Sequence, residues 1–470
     1  MSDTFAAISS APGEAGIGIV RVSGPGSREV MKRLMVRCPE EIESRHAYVS
    51  RVRRYSDEKD PEIIDQAIFL FMEGPHSYTG DDVLEIQAHG SNVGLRKILQ
   101  AVLDSGVEGI RMAEPGEFTR VAFMNGKLDL SQAEAVIDII KAKSDLSLSI
   151  AEKQNEGRLG DAIREIRENL LDVLAEMAVS IDYPDEDEDY TGDYDGSSLV
   201  GQLRWIHNDV SELLDSASIG RIAREGVRVV IAGKPNAGKS SLMNALLGEG
   251  RVIVTDVPGT TRDTVEESVS IGGVPIVLVD TAGLRDTEDK VEKIGIERTA
   301  QAMAKADLII LVLDGSNPLD DRDDTVLQYI EQMSNEHLLV VINKNDLGRE
   351  ITEEEVLAKL PDASIVRTSL VDMGVPEAVN AVAGVIREMY ELDKINPGEM
   401  NIVTNERHIR MLRNADMNLG EAIEMLRNGD PMEVAELSAH YAYDSLGSII
   451  GEEVGDEVLD RVFSKFCLGK

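Results

Sequence analysis

The sequence predicts a multidomain protein: an α+β N-terminal domain, an all-α helical domain, and an α/β P-loop domain inserted into the helical one. Three observations indicate this class. Short β-rich runs broken by Gly and Pro come first, a helical period follows, and apolar strands then alternate with helical segments. The 470 residues fit about three domains. We expect boundaries at 1–126, 127–222, 223–390 and 391–470, the second and last being parts of one helical domain.

The N-terminal domain is predicted from three β-rich runs and one helical pattern. The runs cover residues 16–24, 66–72 and 83–90, each bounded by turn-forming residues. A helix is expected over 91–106, with Gly106 at its end because glycine readily adopts the left-handed conformation found there.

The helical domain is predicted from one apolar stripe. Its members recur at steps of three and four residues, which places them on one helix face: Leu159, Ile163, Ile166, Leu170, Leu174 and Met177. An acidic stretch follows at 181–196. It lacks the spaced ligands and turn glycine of a calcium loop, so we favour a solvated loop over a cation site.

The α/β domain is predicted from four apolar strands with helical segments between them, at 227–233, 274–280, 307–314 and 337–344. Continuous apolar runs of this length are typical of parallel strands that are covered on both faces.

Composition and charge limit the cellular setting. The sequence has no run of about 18 apolar residues and no basic-then-apolar start, so we expect neither a membrane span nor a secretory signal. Two distant cysteines favour a reducing, cytoplasmic location. The net charge of −38 disfavours passive binding to nucleic acid or to an anionic membrane. The alternative is that the excess of acidic residues serves solubility alone.

The strongest motif is G-x-x-x-x-G-K-S at 233–240, between a predicted strand and a predicted helix, which is the context of a phosphate-binding P-loop. Backbone N–H groups of such a loop cradle phosphates, Lys239 is expected at the β- and γ-phosphates, and Ser240 on Mg²⁺. The expected nucleotide contacts here are Asn236, Ala237, Gly238, Lys239, Ser240 and Ser241.

Two switch segments follow in order. Residues 254–263 supply threonines, one of which could reach Mg²⁺ when the γ-phosphate is bound, and 280–283 would bring a carboxylate near the metal. The expected contacts are Thr255, Asp256, Val257, Pro258, Gly259, Thr260 and Thr261, then Asp280, Thr281, Ala282 and Gly283.

The base is predicted from N-K-N-D at 343–346, after an apolar strand. Asp346 can accept hydrogen bonds from N1 and the exocyclic amine of guanine, a pattern that adenine lacks. Asn343 and Lys344 stand beside it, and Ser369 and Leu370 occupy the last base-side loop. Four motifs in this order on an α/β pattern indicate a GTPase domain that binds GTP and Mg²⁺.

The residue after DTAG is Leu284, where Ras-like GTPases use a glutamine to orient the attacking water. Arg262 and Arg285 could instead stabilise developing charge, and Glu292 could position water. The alternative is a binary switch that hydrolyses GTP slowly.

Sequence strings outside the GTPase motifs resemble one family. GEAGIGIVRVSG, SYTGDDVLEIQAHG, PGEFTRVAFMNGKLDLSQAEAV and the terminal FCLGK are similar to the MnmE (TrmE) family of tRNA modification GTPases, over essentially the whole chain. The resemblance implies an N-terminal domain that mediates homodimerisation and binds 5-formyl- or 5,10-methylene-tetrahydrofolate. The implied folate contacts are Arg21, Glu85, Lys127 and Lys470. Cations suit the glutamate tail of folate, and a carboxylate suits the donor edge of its pterin.

The resemblance also implies a K⁺-stimulated GTPase that is activated when two G domains meet. It implies K⁺ ligands at Asn236, Thr255, Val257 and Thr260, Mg²⁺ ligands at Ser240 and Thr261, and a catalytic water positioned by Glu292. Pro258 stands where a small residue is frequent, and proline stiffens the segment, so its switch kinetics are expected to differ.

The implied pathway joins this chain to an FAD-dependent flavoprotein of the MnmG (GidA) type. Together they would add an aminomethyl or carboxymethylaminomethyl group to C5 of the wobble uridine of tRNA, with folate supplying the carbon. The alternatives are an Era-type RNA-binding GTPase, which a pI of about 4.5 disfavours, and a folate-binding regulator without chemistry.

Cys467 lies four residues from the end of the sequence, but a terminal Lys470 excludes a typical prenylation box. The resemblance implies a tail at the folate site, where nearby lysines could activate the thiol. The alternative is that Cys467 packs as a small apolar residue beside Phe463 and Phe466.

Overall fold

The computed structural model describes most of the chain in two compact units. The described residues are 3–56, 61–182, 196–249, 251–252, 267–279, 303–304, 306–331, 337–396, 398, 400–452 and 454–470. One unit comprises Met1–Ile137 with Leu446–Lys470, and the other comprises Asp138–Ser445. None of the helices in these residues combines the length and apolar character that crossing a bilayer requires.

Six strands form the sheet of the first unit: β1 (Thr4–Ile8), β2 (Ala15–Ser23), β3 (Ala47–Arg53), β4 (Ile63–Met72), β5 (Val83–Gly90) and β6 (Ile110–Met112). Their order is β3-β4-β5-β2-β1-β6, and every pair is antiparallel except β1 with β6. β2, β4 and β5 confirm the three predicted strands, and the other three are additional.

The two faces of this sheet are covered by different helices. The helices of this part of the chain are α1 (Ser27–Leu34), α2 (Asn92–Leu103), α3 (Glu117–Met124) and α4 (Leu130–Lys141), the last of which runs into the second unit. Val20 and Val22 of β2 belong to the core that α1 and α2 complete. Phe5 and Ala7 of β1 instead pack with Phe118 of α3. Since side chains alternate along a strand, Arg21 of β2 faces the α3 side.

The α2 helix confirms the helix predicted over 91–106. Its N-cap is Ser91, whose Oγ accepts a hydrogen bond from the Gly94 N–H, and this satisfies one of the free donors of the first turn. Gly106 follows three residues after the helix ends, at φ +74°.

The second unit begins with helices whose core was predicted. They are α5 (Asp145–Asn155), α6 (Arg158–Asp182) and α7 (Gly196–Glu225). All six stripe residues lie on α6 and are at most 6% exposed. Between α6 and α7, the acidic stretch from residue 183 to 195 lies outside the described residues.

A seven-stranded sheet occupies the middle of the second unit: β7 (Val227–Ala232), β8 (Arg251–Val252), β9 (Glu267–Ile271), β10 (Val274–Leu278), β11 (Leu308–Asp314), β12 (Leu338–Asn343) and β13 (Ser364–Arg367). The order is β13-β12-β11-β7-β10-β9-β8, parallel from β13 to β10 and antiparallel beyond. β7, β10, β11 and β12 confirm the four predicted strands.

Helices lie beside both faces of this sheet: α8 (Lys239–Glu249), α9 (Asp321–Glu331), α10 (Glu353–Leu357) and α11 (Val375–Met389), followed by a 3-10 turn at Leu392–Lys394. Every residue of β11 is buried, and its alternate side chains enter two separate cores. The carboxyl ends of β7, β11 and β12 therefore meet at one edge, which is where open α/β sheets bind ligands.

The chain then returns to helix in α12 (Glu406–Asn428) and α13 (Met432–Ile450). Long-range hydrogen bonds join this return to the helices before the sheet, and two of them show the pattern. Ser211 Oγ of α7 donates to Asp416 Oδ1 of α12 at 2.9 Å, and Gln154 Nε2 of α5 donates to the Ile402 carbonyl at 2.7 Å. The α/β sheet is thus inserted between two helical segments that pack on each other.

The C-terminal tail, residues 456–470, packs within the first unit. Helix α14 (Asp456–Phe463) packs through Leu459, Val462 and Phe463 against Leu130 of α4. Beyond it, Gly469 has φ +94°, and a side chain there would collide with the Ile8 carbonyl at the end of β1. Only glycine allows this close approach of two backbones.

Candidate functional site

The phosphate loop connects β7 to α8 as predicted. Asn236 and Gly238 have φ values of +65° and +109°, so the loop turns through left-handed conformations before the helix begins at Lys239. A side chain at Gly238 would collide with the Asn343 amide. The loop and the free N–H groups of the first turn of α8 form a concave, positively polarised surface of the kind that binds phosphate.

Lys239 is directed back over this loop. Its ammonium donates a hydrogen bond to the Lys234 carbonyl at 2.8 Å, and burial lowers its pKa. A half-buried cation beside the free N–H groups of a helix start is suited to an anionic ligand, because a phosphate would supply the missing countercharge.

The N-K-N-D segment packs directly on the phosphate loop. Asn343, at the end of β12, donates from Nδ2 to the Ala237 carbonyl at 3.1 Å. Lys344 has φ +62°, and its ammonium bridges the Asn236 carbonyl at 2.8 Å and Asp314 Oδ2 at 2.7 Å. Burial raises the pKa of Asp314, but hydrogen bonds from Lys344 and Ser316 outweigh it and lower the pKa overall. These contacts join the base-side and phosphate-side segments into one site.

Asp346 lies at the outer end of the same segment. Ser369, which is 1% exposed, donates from Oγ to Asp346 Oδ1 at 2.7 Å and accepts from the Asp372 N–H at 3.0 Å. Leu370 is half-buried against the adjoining core. The exposed carboxylate is thus oriented by a fixed hydroxyl and presents acceptor oxygens to a planar donor edge such as that of guanine.

Several predicted site residues lie outside the described residues. They are Thr255, Asp256, Val257, Pro258, Gly259, Thr260, Thr261, Arg262, Asp280, Thr281, Ala282, Gly283, Arg285 and Glu292. Of the predicted Mg²⁺ and K⁺ ligands, the structure therefore describes Ser240 and Asn236. Both belong to the phosphate-loop surface, and a serine hydroxyl is a hard oxygen ligand of the kind that Mg²⁺ prefers. Within the described ranges, no three His, Cys, Asp or Glu side chains cluster as a metal site.

A second polar site lies in the first unit, on the α3 side of the sheet. Arg21 and Glu85 are directly opposed on β2 and β5, with Nη2 2.9 Å from Oε1. Their side chains are 16% and 14% exposed, and Gln87 Nε2 donates to the other Glu85 oxygen at 3.2 Å. The Arg21 guanidinium also lies over the rings of Tyr78 and Phe118, at 5.9 and 5.5 Å from their centroids. The pair is therefore partly shielded from solvent, and two aromatic rings lie beside its cation.

Lys470 of the tail lies close enough to this pair for both charges to affect its pKa. Burial lowers its pKa, the Arg21 charge lowers it further, and the charges of Glu85 and Cys467 oppose the shift. Lys127 is exposed and donates to the Pro75 carbonyl at 2.9 Å. No hydrogen bond among the described residues joins it to Arg21 or Glu85. Three of the four predicted cofactor residues are thus brought together by the fold.

Cys467 is exposed, whereas its neighbours Phe463 and Phe466 are 2% and 5% exposed. The alternative in which the thiol packs beside these rings is therefore wrong in this structure.

Sequence reasoning missed several residues that support these sites, among them Gln87, Tyr78 and Asp314. Gln87 could have been found, because it lies two residues from Glu85 and hence on the same face of β5. Asp314 could also have been found as a carboxylate at the carboxyl end of a buried strand. Tyr78 carries no local signal, because a loop places it near Arg21.

Comparisons with known proteins agree with this organisation. A family described as GTP-binding protein TrmE N-terminus matches residues 4–127, and one described as MnmE helical domain matches 130–467. Proteins named tRNA modification GTPase MnmE are 42% identical in Clostridioides difficile (strain 630) and 40% in Staphylococcus haemolyticus (strain JCSC1435). All of this chain is covered in both, with 100% and 99% of the relatives.

Among solved structures, the G domain of the T. maritima FeoB iron transporter is 27% identical. The alignment covers 36% of this chain and 99% of that one, with a TM-score of 0.26. The α/β fold is therefore assigned from the order of the seven-stranded sheet, β13-β12-β11-β7-β10-β9-β8, and not from this similarity.

Proposed function

Since this chain belongs to the MnmE family of tRNA modification GTPases, we propose that it modifies the wobble uridine of tRNA together with a flavoprotein. The chain is a GTPase that acts in tRNA modification. The proposal adds the position, the partner and the carbon source: an aminomethyl or carboxymethylaminomethyl group at C5, an FAD-dependent flavoprotein, and a tetrahydrofolate.

The observation that carries the GTPase assignment to particular residues is the joined nucleotide site. Lys239 would bind the β- and γ-phosphates, because its half-buried ammonium has no carboxylate among its described hydrogen-bond partners. Asp346 would select guanine through its oriented carboxylate. Ser240 would hold Mg²⁺ with Thr261, and the metal would neutralise charge on the phosphates.

K⁺ would act at the same loop. Asn236 is a natural ligand, because its left-handed backbone and the Lys344 contact to its carbonyl hold it at the turn of the loop. Backbone oxygens of Thr255, Val257 and Thr260 would complete the K⁺ ligand set. The cation would supply positive charge that Ras-like enzymes obtain from an arginine finger.

The chain's own groups would complete hydrolysis. Leu284 has no group that orients water, so Glu292 would position it, and Arg262 and Arg285 would stabilise the charge that develops on the phosphates. Two G domains of a homodimer would meet during this step.

Folate would bind at the Arg21–Glu85 pair. This is supported by the ion pair of Arg21 with the shielded Glu85 carboxylate, by the influence of both charges on the pKa of Lys470, and by the rings of Tyr78 and Phe118 beside Arg21. The carboxylate suits the donor edge of a pterin, and the cations suit the glutamate tail. The exposed Lys127 would supply a further cation to the glutamate tail of folate. The exposed Cys467 would be the reactive thiol of the C-terminal tail.

Nucleoside analysis of tRNA tests the proposed modification. In a strain that lacks this protein, the C5-modified wobble uridine should disappear, and the wild-type gene should restore it. A complementing Arg21→Met gene should restore GTPase activity but little modified uridine. Unchanged wobble uridine in the deletion strain would contradict the proposal and favour a switch or regulator.

A further inference from the structure

Lys234, the second residue of the phosphate loop, is tied by its side chain to two aspartates at the start of α9. Its ammonium lies 2.6 Å from Asp323 Oδ2 and 3.1 Å from Asp320 Oδ2. The Lys234 and Asp323 side chains are 12% and 1% exposed, so this ion pair is largely shielded from solvent. Burial lowers the pKa of Lys234, but its hydrogen bonds to both aspartates outweigh this and raise it overall.

The aspartates are themselves held in place. Asp320 Oδ1 accepts hydrogen bonds from the Arg322 and Asp323 N–H groups at 3.0 and 3.1 Å, which caps α9. The Asp320 N–H donates in turn to Asp323 Oδ2 at 3.2 Å. The side chain of Lys234 is thus anchored to a fixed helix start rather than to a mobile surface group.

The backbone of Lys234 holds the phosphate-binding lysine. Its carbonyl accepts the hydrogen bond from Lys239 Nζ at 2.8 Å, and also accepts from the Ala237 N–H at 3.4 Å. One residue therefore contacts α9 through its side chain and orients Lys239 through its main chain.

We propose that Lys234 is a positioning residue of the nucleotide site, whose clamp onto Asp320 and Asp323 fixes the carbonyl that orients Lys239. This rests on the phosphate-binding role proposed above for Lys239. Nucleotide affinity then depends on carboxylates that belong to none of the GTPase motifs, more than eighty residues along the chain.

The single variant Lys234→Met would not separate a loss of protein stability from a loss of nucleotide affinity. Lys234→Met leaves Asp323 buried without its cation, and Asp323 Oδ1 already has no hydrogen-bond partner in the described part of the chain. We therefore include the double variant Lys234→Met/Asp323→Asn, which removes the uncompensated charge. The matched control is Lys359→Met, which breaks a pair with Asp324 on the same helix, where both side chains are more than 40% exposed.

The measurements are the Kd for a fluorescent GDP analogue and the midpoint of thermal unfolding without nucleotide, on the full chain. Lys234→Met should weaken GDP binding about tenfold, as expected for one charge-assisted contact, and lower the midpoint. The double variant should regain the midpoint but stay about tenfold weaker for GDP. Lys359→Met should change neither quantity.

A double variant that binds GDP within about twofold of the wild-type Kd would overturn the proposal, because the pair would then serve stability alone. The GDP Kd of the double variant tests the proposal even if Lys234→Met does not fold. Wild-type protein that fails to bind GDP would contradict the nucleotide site itself, and the clamp with it.

Discussion

A single carboxylate is expected to distinguish guanine from other bases, and its orientation depends on one buried hydroxyl. Ser369 Oγ donates to one oxygen of Asp346, so the other oxygen and the remaining lone pairs face outward. A site built from acceptors rejects a base that presents an acceptor, because two acceptors would face each other with no proton between them.

Asp346→Asn should therefore change the base preference. The amide places an N–H donor where guanine presents its own amine, whereas xanthine presents a carbonyl at that position. We expect GDP binding to weaken about a hundredfold and xanthosine diphosphate binding to become the tighter of the two. Titration of both nucleotides measures this. Asp372→Asn is the control, because Asp372 contacts Ser369 through its main chain; unchanged GDP affinity in Asp346→Asn would contradict the assignment.

At the scale of single residues, the sequence predicts those whose role follows from local spacing. The roles expected for Lys239, Asn343 and Asp346 come from such spacing, because their loops follow buried strands. The Lys234–Asp323 contact has no such signal, since the two residues are 89 positions apart. Contacts of this kind arise from packing a helix start against a loop, which motif spacing does not encode.

At the scale of elements, the strands that the sequence predicts are those with continuous apolar runs or with β-rich runs bounded by turn-forming residues. β3 was missed because it alternates exposed and half-buried side chains and carries Arg51 and Arg53 at the edge of the sheet. β6 has only three residues and is defined by its parallel register with β1. Such strands depend on their neighbours more than on their own composition.

Lys470, at the end of the C-terminal tail, is the residue whose replacement should change folate binding and leave nucleotide binding unchanged. Lys470→Met should weaken binding of 5-formyltetrahydrofolate about tenfold, because it removes one cation from the Arg21–Glu85 site. The measurement is a calorimetric titration of the full chain. Lys465→Met, an exposed lysine of the same tail, should bind folate normally, and GDP affinity should stay constant in both variants. Wild-type folate affinity in Lys470→Met would remove the tail from the site.

At the scale of the whole molecule, GTP hydrolysis is expected to require K⁺ at the phosphate loop. Replacing Na⁺ with K⁺ should raise kcat on the order of a hundredfold, which is typical of a group that stabilises developing charge. Asn236→Ala should abolish the difference between the salts, and Asn317→Ala, an exposed asparagine after β11, should preserve it. Glu292→Gln should lower kcat in K⁺ without changing GDP affinity. Equal rates in both salts for the wild type would exclude the K⁺ site.

The insertion of the seven-stranded sheet also determines the order in which the packing partners of the second unit leave the ribosome. Helix α7 ends at Glu225, and its packing partner α12 begins at Glu406, about 180 residues later. At ordinary rates of translation the ribosome needs roughly 10 to 40 seconds to cover that interval. During that time the apolar side of α7 has emerged without α12, while the sheet, whose strands are consecutive, can already close. The helical domain is therefore expected to be completed last in the second unit. Until α12 has been synthesised, the apolar side of α7 would be accessible to chaperones.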